Sequence, residues 1–146
     1  DRLASETMKV TCLWPEKGLP WEDRNELSMV VMAEYGDFQM LFTGDIGSRA
    51  EEALVKNGVL EDVEVLKTAH HGSRYSSSEA FLKAIKPEVS LISCSAANRY
   101  GHPGAETLER LDDVGSRIFI TKDSGAITIL TDGHEVRVSE YLKKNL

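Results

Sequence analysis

The sequence has few cysteines and lacks any long apolar run. Its two cysteines, Cys12 and Cys94, are far apart and form no C-x-x-C motif, which excludes a thiolate zinc finger. Both lie in apolar, strand-like segments, so we expect two buried thiols, with a disulfide between them as the alternative. No apolar stretch approaches the roughly 20 residues of a membrane-spanning helix, so we expect no direct membrane contact from this segment.

Basic residues are outnumbered by acidic ones. Lys and Arg total 17 against 24 Asp and Glu, and the formal net charge is −7. This balance argues against a large basic groove for nucleic acid within this chain alone, but a cleft in which metal ions supply the positive charge remains compatible with it. The 146 residues, 41% hydrophobic and 28% charged, suit one globular unit. Because the chain begins with Asp1 rather than Met, we expect an excised or processed piece of a longer protein.

Short apolar runs alternate with helical patterns, which predicts an α/β or α+β fold. Helices are predicted from the capping boxes Ser48-x-x-Glu51 and Ser76-x-x-Glu79 and from Pro103, and residues 140–146 are predicted as a short helix or tail. The second helix is expected to bury one apolar face, formed by Phe81, Leu82 and Ile85. Strands are predicted at 8–14, 27–35, 38–43, 63–69, 89–94, 117–121, 126–131 and 135–138.

Polar residues gather directly after three of these strands. Asp45 follows the strand at 38–43 behind a glycine, where α/β proteins commonly build sites, although a plain turn or an Asx cap is the alternative. His70 and His71 end the strand at 63–69, and neutral imidazole is a common metal ligand. Since successive strand residues point to opposite faces, one histidine is expected to bind metal while the other packs or supports it. Two hydrogen-bonded turn histidines are the alternative.

The third polar segment, Asn98 to Pro103, follows the strand at 89–94. Arg99 offers a bidentate fork for phosphate, and the helix after Pro103 directs its positive end there. A capped helix start with an exposed arginine is the alternative.

Together the three segments bring carboxylate and imidazole to one sheet edge, the ligand set of a hydrolytic zinc or manganese site. A metal normally needs about three protein ligands, so the chain alone is predicted to bind metal weakly or not at all.

In their order and spacing, these motifs resemble the metallo-β-lactamase-like domain of the ComEC type, which bacterial DNA-uptake proteins of natural competence and stand-alone relatives carry. The similarity runs from about Met8 to Val138. Its motifs are Thr43-Gly44-Asp45, His70-His71-Gly72-Ser73 followed by Ser76-Ser77-Ser78, Asn98-Arg99-Tyr100-Gly101-His102-Pro103, and Gly125-Ala126-Ile127.

The resemblance implies an αββα sandwich of the α/β class, of which residues 1–146 form a single partial domain, the C-terminal portion. No histidine precedes His70, so the family's H-x-D-x-D-H motif and the N-terminal half that carries it are missing. Asp45 corresponds to the metal-bridging aspartate and His70 to the last histidine ligand, with His71 as neighbour or alternate. Asn25 falls where many such hydrolases have a histidine ligand, which weakens one metal position.

The roles that follow are expectations. The expected metal ligands are Asp45, His70 and His71. The expected catalytic residues are Asp45, His70 and His102, and the expected substrate-binding residues are Ser73, Asn98 and Arg99. The complete domain is expected to hold two divalent ions, zinc or manganese, and this piece alone to be metal-free and inactive.

The resemblance implies a metal-dependent hydrolase of phosphodiesters that processes the DNA strand not imported, in an extracytoplasmic domain of a bacterial membrane protein. A cytoplasmic stand-alone relative is the other location. The alternatives in function are a catalytically incomplete half-domain used for binding or assembly, and a hydrolase of a small ester. A half-domain is also expected to expose an apolar sheet face that drives self-association, with Leu13, Val30, Met32 and Leu41 as candidate members.

Overall fold

The computed structural model describes residues 8–20 and 22–142, so residues 143–146 of the tail predicted at 140–146 lie outside the described residues. The strands are β1 (Lys9–Trp14), β2 (Val30–Tyr35), β3 (Phe38–Phe42), β4 (Val65–Lys67), β5 (Val89–Ile92), β6 (Arg117–Ile120), β7 (Ile127–Thr131) and β8 (Val136–Glu140). The helices are α1 (Ser48–Asn57), α2 (Glu79–Ile85), α3 (Ala105–Asp113) and the single turn α4 (Thr121–Ser124), and a 3-10 turn spans Ala69–Gly72.

Within the described ranges, six strands form one mixed sheet in the order β1-β2-β3-β4-β5-β6. The first three are antiparallel neighbours, whereas β3 to β6 run parallel. The carboxyl ends of β3, β4, β5 and β6 therefore meet at one edge of the sheet. The predicted α/β class is confirmed, as a mixed sheet flanked by helices.

One face of the sheet packs against the helices and carries the main core. The predicted face of α2, formed by Phe81, Leu82 and Ile85, is buried there as expected, with exposures of 1% or less. Leu54 from α1 and Leu111 from α3 are also fully buried in this core. Burying side chains of this size stabilises the folded chain by roughly 1.5–3 kcal/mol each.

The opposite face of the sheet is covered unevenly. The β7–β8 hairpin packs on the β3 to β5 region, where Phe38, Val65 and Val89 are buried. Towards β1 and β2 the same face is open, and Val10 and Met29 are 59% and 61% exposed. An exposed apolar face therefore exists.

The prediction of which residues form that exposed face was wrong. Val30, Met32 and Leu41 are at most 5% exposed, and Leu13 packs beside them in the core under the helices. The physical reason is the two-residue period of a strand, because side chains one position apart point to opposite faces. The sequence shows this alternation, but it does not show which face the helices cover.

The thiol prediction was half right. Cys12 and Cys94 are unpaired, as expected, but Cys12 is exposed and Cys94 is only partly buried. Cys12 is exposed because it lies on the edge strand β1, opposite Val31 in the register, on the sparsely covered face. Burial raises the pKa of the Cys94 thiol, so it is protonated at neutral pH.

The helix starts differ from the predicted capping boxes. The cap of α1 is Gly47, and the distant Glu26 carboxylate accepts from the Gly47 and Ala50 amides at 3.3 and 2.8 Å. The cap of α2 is Ser78 rather than Ser76. The helix expected near Pro103 begins at Ala105, after a Gly104 cap.

In the part of the chain that the structure describes, no helix has the length and apolar character to span a membrane.

Candidate functional site

The loops that follow β3, β4 and β5 lie side by side at the carboxyl edge of the sheet, because these strands are adjacent and parallel. The structure thus brings together the three predicted polar segments, which contribute Asp45, the His70–His71 pair and the loop ending at His102. Backbone hydrogen bonds join the loops directly. The His70 amide donates to the Gly44 carbonyl at 3.0 Å, and the Gly104 amide donates to the Gly72 carbonyl at 2.8 Å.

His71, rather than His70, faces Asp45. The distance from His71 Nε2 to Asp45 Oδ1 is 3.7 Å, and His71 Nδ1 lies 2.7 Å from the Ser93 carbonyl oxygen. A carbonyl only accepts, so Nδ1 carries the proton of this hydrogen bond, and Nε2 points towards the carboxylate. An imidazole nitrogen and a carboxylate oxygen are both atoms that bind divalent cations. A backbone carbonyl that orients an imidazole in this way is typical of metal-ligating histidine.

The two histidines are not on a strand, which corrects the expected reason for their divergence. Strand β4 ends at Lys67, and His70 and His71 adopt left-handed φ values of 48° and 56°. These uncommon conformations re-aim the two rings, His71 towards Asp45 and His70 towards His102, whose ring centroid is 5.8 Å from that of His70. Such local strain persists only where surrounding contacts impose it.

The loop at 93–104 carries two aromatic rings near its end, and they contact each other. Tyr100 stacks on His102 with centroids 5.8 Å apart and an interplanar angle of 18°, and Arg99 Cζ lies 5.8 Å from the Tyr100 centroid. Partial burial lowers the pKa of His102, and nearby His70, His71 and Arg74 lower it further. The His102 ring is therefore neutral at neutral pH and able to accept a proton.

Two of the predicted substrate-binding residues, Asn98 and Ser73, make hydrogen bonds within their own loops. Asn98 donates to the Ser95 and His102 carbonyls at 2.6 and 2.8 Å, and its Oδ1 accepts from the His102 amide at 2.8 Å. Ser73 is only 2% exposed, and its Oγ accepts from the Tyr75 amide at 3.3 Å. These contacts give both side chains a structural role, and substrate contact by either one stays a prediction. Arg99 is exposed at the rim, as a phosphate-binding role requires.

Lys67 belongs to the site and was missed. It lines an open groove of about 580 Å³ together with Phe42, Met29 and Asp45 on the sparsely covered sheet face. Burial lowers the pKa of Lys67, while the negative charge of Asp45 opposes that shift. The signal in the sequence was a charged residue, lysine, at the end of an otherwise apolar strand and two residues before the turn that carries the histidines.

A buried network fixes the loop that carries the histidines. Glu51, fully buried, accepts hydrogen bonds from the amides of Ser77 and Ser78, the latter at 2.8 Å. Arg110 donates to the Ser77 carbonyl at 2.7 Å and to the Ser76 carbonyl at 2.9 Å. Burial raises the pKa of Glu51 against the lowering effect of its amide donors and of Arg110.

The donor chemistry of Asp45 and His71 fits a divalent ion, with one carboxylate and one imidazole. Across residues 8–20 and 22–142, however, no group of three His, Cys, Asp or Glu side chains is placed to hold a metal. Asn25, expected at a weakened ligand position, lies exposed in the turn before β2. The described residues thus offer a pair of ligands, fewer than the three or more that a closed site uses.

The fold and this edge define the chain as a mixed α/β unit whose polar site lies beyond the carboxyl ends of parallel strands. Similar proteins include ComE operon protein 3 of Bacillus subtilis (strain 168), 31% identical over 127 residues, 87% of this chain and 16% of that protein. Competence protein ComA of Neisseria gonorrhoeae is 39% identical over 106 residues, 72% of this chain and 15% of that protein. Recombination protein 2 of Haemophilus influenzae is 31% identical over 105 residues, 72% of this chain and 13% of that protein.

The chain is thus similar to a part of each of three longer proteins, of which one is named a competence protein and another a recombination protein. The chain spans about a sixth or less of the length of these relatives. No protein-family model matches it.

Proposed function

We propose that this chain is the C-terminal portion of a metallo-β-lactamase-like domain that hydrolyses phosphodiester bonds of DNA with the help of divalent metal ions. The observation that carries the proposal is the approach of His71 Nε2 to Asp45 Oδ1, 3.7 Å apart, with the His71 ring oriented by the Ser93 carbonyl oxygen. His71, rather than His70, is then the metal ligand among the two histidines. The sparsely covered sheet face supports the fold assignment, because the second sheet of a sandwich would cover it.

The distribution of charge supports an anionic substrate. Although the chain carries a net charge of −7, cationic side chains gather at this edge. Lys67 lines the groove beside Asp45, Arg99 stands at the rim, and Arg74 lies close enough to lower the pKa of His102. Opposite charges next to a phosphate site raise both its affinity and the rate of encounter.

In the proposed reaction, water adds to phosphorus, one phosphorus–oxygen bond breaks, and the leaving alkoxide takes a proton. Asp45 and His71 would hold a divalent ion, which would supply a water of lowered pKa and offset charge on the phosphate oxygens. Arg99 donates a bidentate pair of hydrogen bonds to the two non-bridging oxygens of the phosphate. The neutral His102 accepts the proton of the attacking water, which is the task its lowered pKa suits.

A second function, a binding or assembly module without catalysis, is favoured by two observations. The described residues supply a pair of metal ligands and an exposed apolar sheet face, with Val10 and Met29 59% and 61% exposed. Such a face needs either a covering segment or another molecule.

The test is metal-dependent hydrolysis of bis(p-nitrophenyl) phosphate and of DNA by the whole protein, with metal content measured alongside. We expect Asp45→Ala and His71→Ala to abolish both activity and bound metal, because each removes a ligand. Arg99→Ala is expected to raise KM by about ten- to hundredfold, since it removes a charge-assisted contact. His70→Ala is the matched comparison, and it is expected to retain more metal than His71→Ala.

Full activity in Asp45→Ala or in His71→Ala would disprove the metal-site assignment. Hydrolysis of p-nitrophenyl acetate without hydrolysis of either phosphodiester would support the small-ester alternative. A protein that binds DNA but hydrolyses none of these substrates would support the binding module.

A further inference from the structure

Tyr100 is an exposed aromatic ring at the rim of the site and has no role in the proposed hydrolysis. Its side chain is 73% exposed, although its ring is supported from within by His102. His102 in turn lies against His70, so three rings extend outwards from the histidine loop to the solvent. A large ring displayed in this way presents surface to a planar partner.

The backbone on either side of the Tyr100 ring is held by the side chain of Asn98. The Asn98 amide bonds to the Ser95 and His102 carbonyls and accepts from the His102 amide, which closes the loop around Tyr100. A preorganised aromatic platform loses less conformational entropy on binding than a mobile one. The fixed geometry therefore favours recognition over a chance surface position.

The charge beside the ring selects the partner. Arg99 Cζ lies over the Tyr100 ring, 5.8 Å from its centroid, so a cation and an aromatic ring form one exposed pair at the rim. A ligand that complements both is planar and carries an anion next to its ring. Nucleotides have this combination, and base stacking on aromatic side chains with arginine on the backbone is the usual chemistry of single-strand binding.

We propose that Tyr100 is a stacking platform for an unpaired nucleobase of a single-stranded nucleic acid, with Arg99 binding the adjoining phosphate. The inference rests on the proposed function, because it names the form of nucleic acid that reaches the site. Bases within a duplex are covered on both faces, so a platform of this kind favours a single strand or an opened end.

The experiment compares the binding of a labelled oligothymidylate of about ten nucleotides with that of an abasic strand of equal length, in the presence of chelator. The two probes carry equal numbers of phosphates and differ in their bases. We expect the wild-type protein to bind the thymidylate more tightly. Tyr100→Leu should weaken thymidylate binding at least about fivefold and leave abasic binding unchanged, whereas Tyr100→Phe should retain the wild-type affinity.

Tyr75→Leu is the matched control, since Tyr75 is 76% exposed on the neighbouring loop. It should leave both affinities unchanged, and the melting temperatures of all variants should agree because both rings are exposed. Equal binding of the two probes by the wild type, binding of neither, or equal losses in Tyr100→Leu and Tyr75→Leu would overturn the inference. Preference for the base-bearing strand in a protein that hydrolyses no phosphodiester would retain the stacking site and remove the proposed function.

Discussion

Two loops at the same sheet edge are built in opposite ways. The first, residues 70–78, is tied to other elements by buried groups, including the Glu51 carboxylate and the Arg110 guanidinium. The second, residues 93–102, is tied to Thr121 and His71 only at its start, is closed further along by the side chain of its own Asn98, and keeps Tyr100 exposed. We call them the locked loop and the rim loop.

The difference between the loops follows the tasks proposed for them. The locked loop carries His71, whose distance to Asp45 has to be reproducible for two ligands to share one ion. The rim loop carries Arg99 and Tyr100, which have to meet a substrate of variable shape. The metal ligand is thus supported by contacts from distant elements, whereas the stacking ring is supported mainly by contacts within its own loop.

The largest expected effect is the removal of Glu51. Glu51→Ala leaves the amides of Ser77 and Ser78 without their acceptor in a buried environment, which we expect to lower the free energy of unfolding by about 3–5 kcal/mol. Urea unfolding measures this. Glu52→Ala is the control, because Glu52 is exposed on the same helix and should change stability little. A similar loss in both variants would show that the locked loop does not depend on the Glu51 carboxylate.

A matched glycine pair sharpens the comparison. Gly72 in the locked loop and Gly101 in the rim loop have similar positive φ values, 78° and 72°. A Cβ at Gly72 would lie 2.7 Å from Pro103 Cβ, whereas a Cβ at Gly101 meets nothing within 4 Å. We expect Gly72→Ala to cost about 2–4 kcal/mol and Gly101→Ala about 1–2 kcal/mol, the backbone contribution alone.

Thermal or urea unfolding of the two alanine variants checks this pair. Equal losses would mean that the contact between Gly72 and Pro103 adds nothing to the strain of a positive φ. A larger loss at Gly101 would reverse the comparison between the two loops.

A smaller effect is expected from opening the rim loop. Asn98→Ala removes three hydrogen bonds from a partly exposed loop, so we expect a loss of about 1 kcal/mol and faster hydrogen exchange at the His102 amide. Asn98→Asp keeps the acceptor for that amide and should slow its exchange relative to the alanine variant. Unchanged exchange in Asn98→Ala would show that other contacts hold the loop.

The smallest expected effect is a dependence on pH. Burial raises the pKa of Glu51 above its ordinary value of 4.5, so the folded state holds this proton more firmly than the unfolded state. The stabilisation that comes from holding this proton is therefore complete below about pH 4.5 and is lost as pH rises through the folded-state pKa of Glu51. Wild type should lose more stability than Glu51→Gln between about pH 4.5 and neutral pH. Parallel stability curves would contradict the raised pKa.

Local patterns in the sequence were sufficient for most of the elements. The strand at 89–94 and the helix face of Phe81, Leu82 and Ile85 follow from hydrophobic period, and the structure has them within a few residues of the predicted bounds. The convergence of Asp45 with the histidine segment was also predictable, because parallel neighbours end at one edge. Those features depend on short-range periodicity and on strand order.

Capping was predicted less well, because the partners of helix starts are chosen by the fold. Glu51 was interpreted as part of a local capping box, yet its carboxylate reaches the amides of Ser77 and Ser78, far along the chain. The first helix is capped instead by Glu26, from the segment before β2. A carboxylate at a given spacing has the same sequence pattern whether it bonds locally or across the core.

The sequence by itself determined the α/β alternation, the acidic balance and the placement of polar residues after three strands, since each depends on composition or on neighbouring residues. The tertiary structure alone decided which histidine faces Asp45, which sheet face the helices bury, and that Lys67 lines the site. Side-chain direction at the two left-handed residues His70 and His71 is imposed by contacts from Gly44 and other distant segments. Interactions between residues remote in sequence leave no local pattern, and these are the interactions that complete the site.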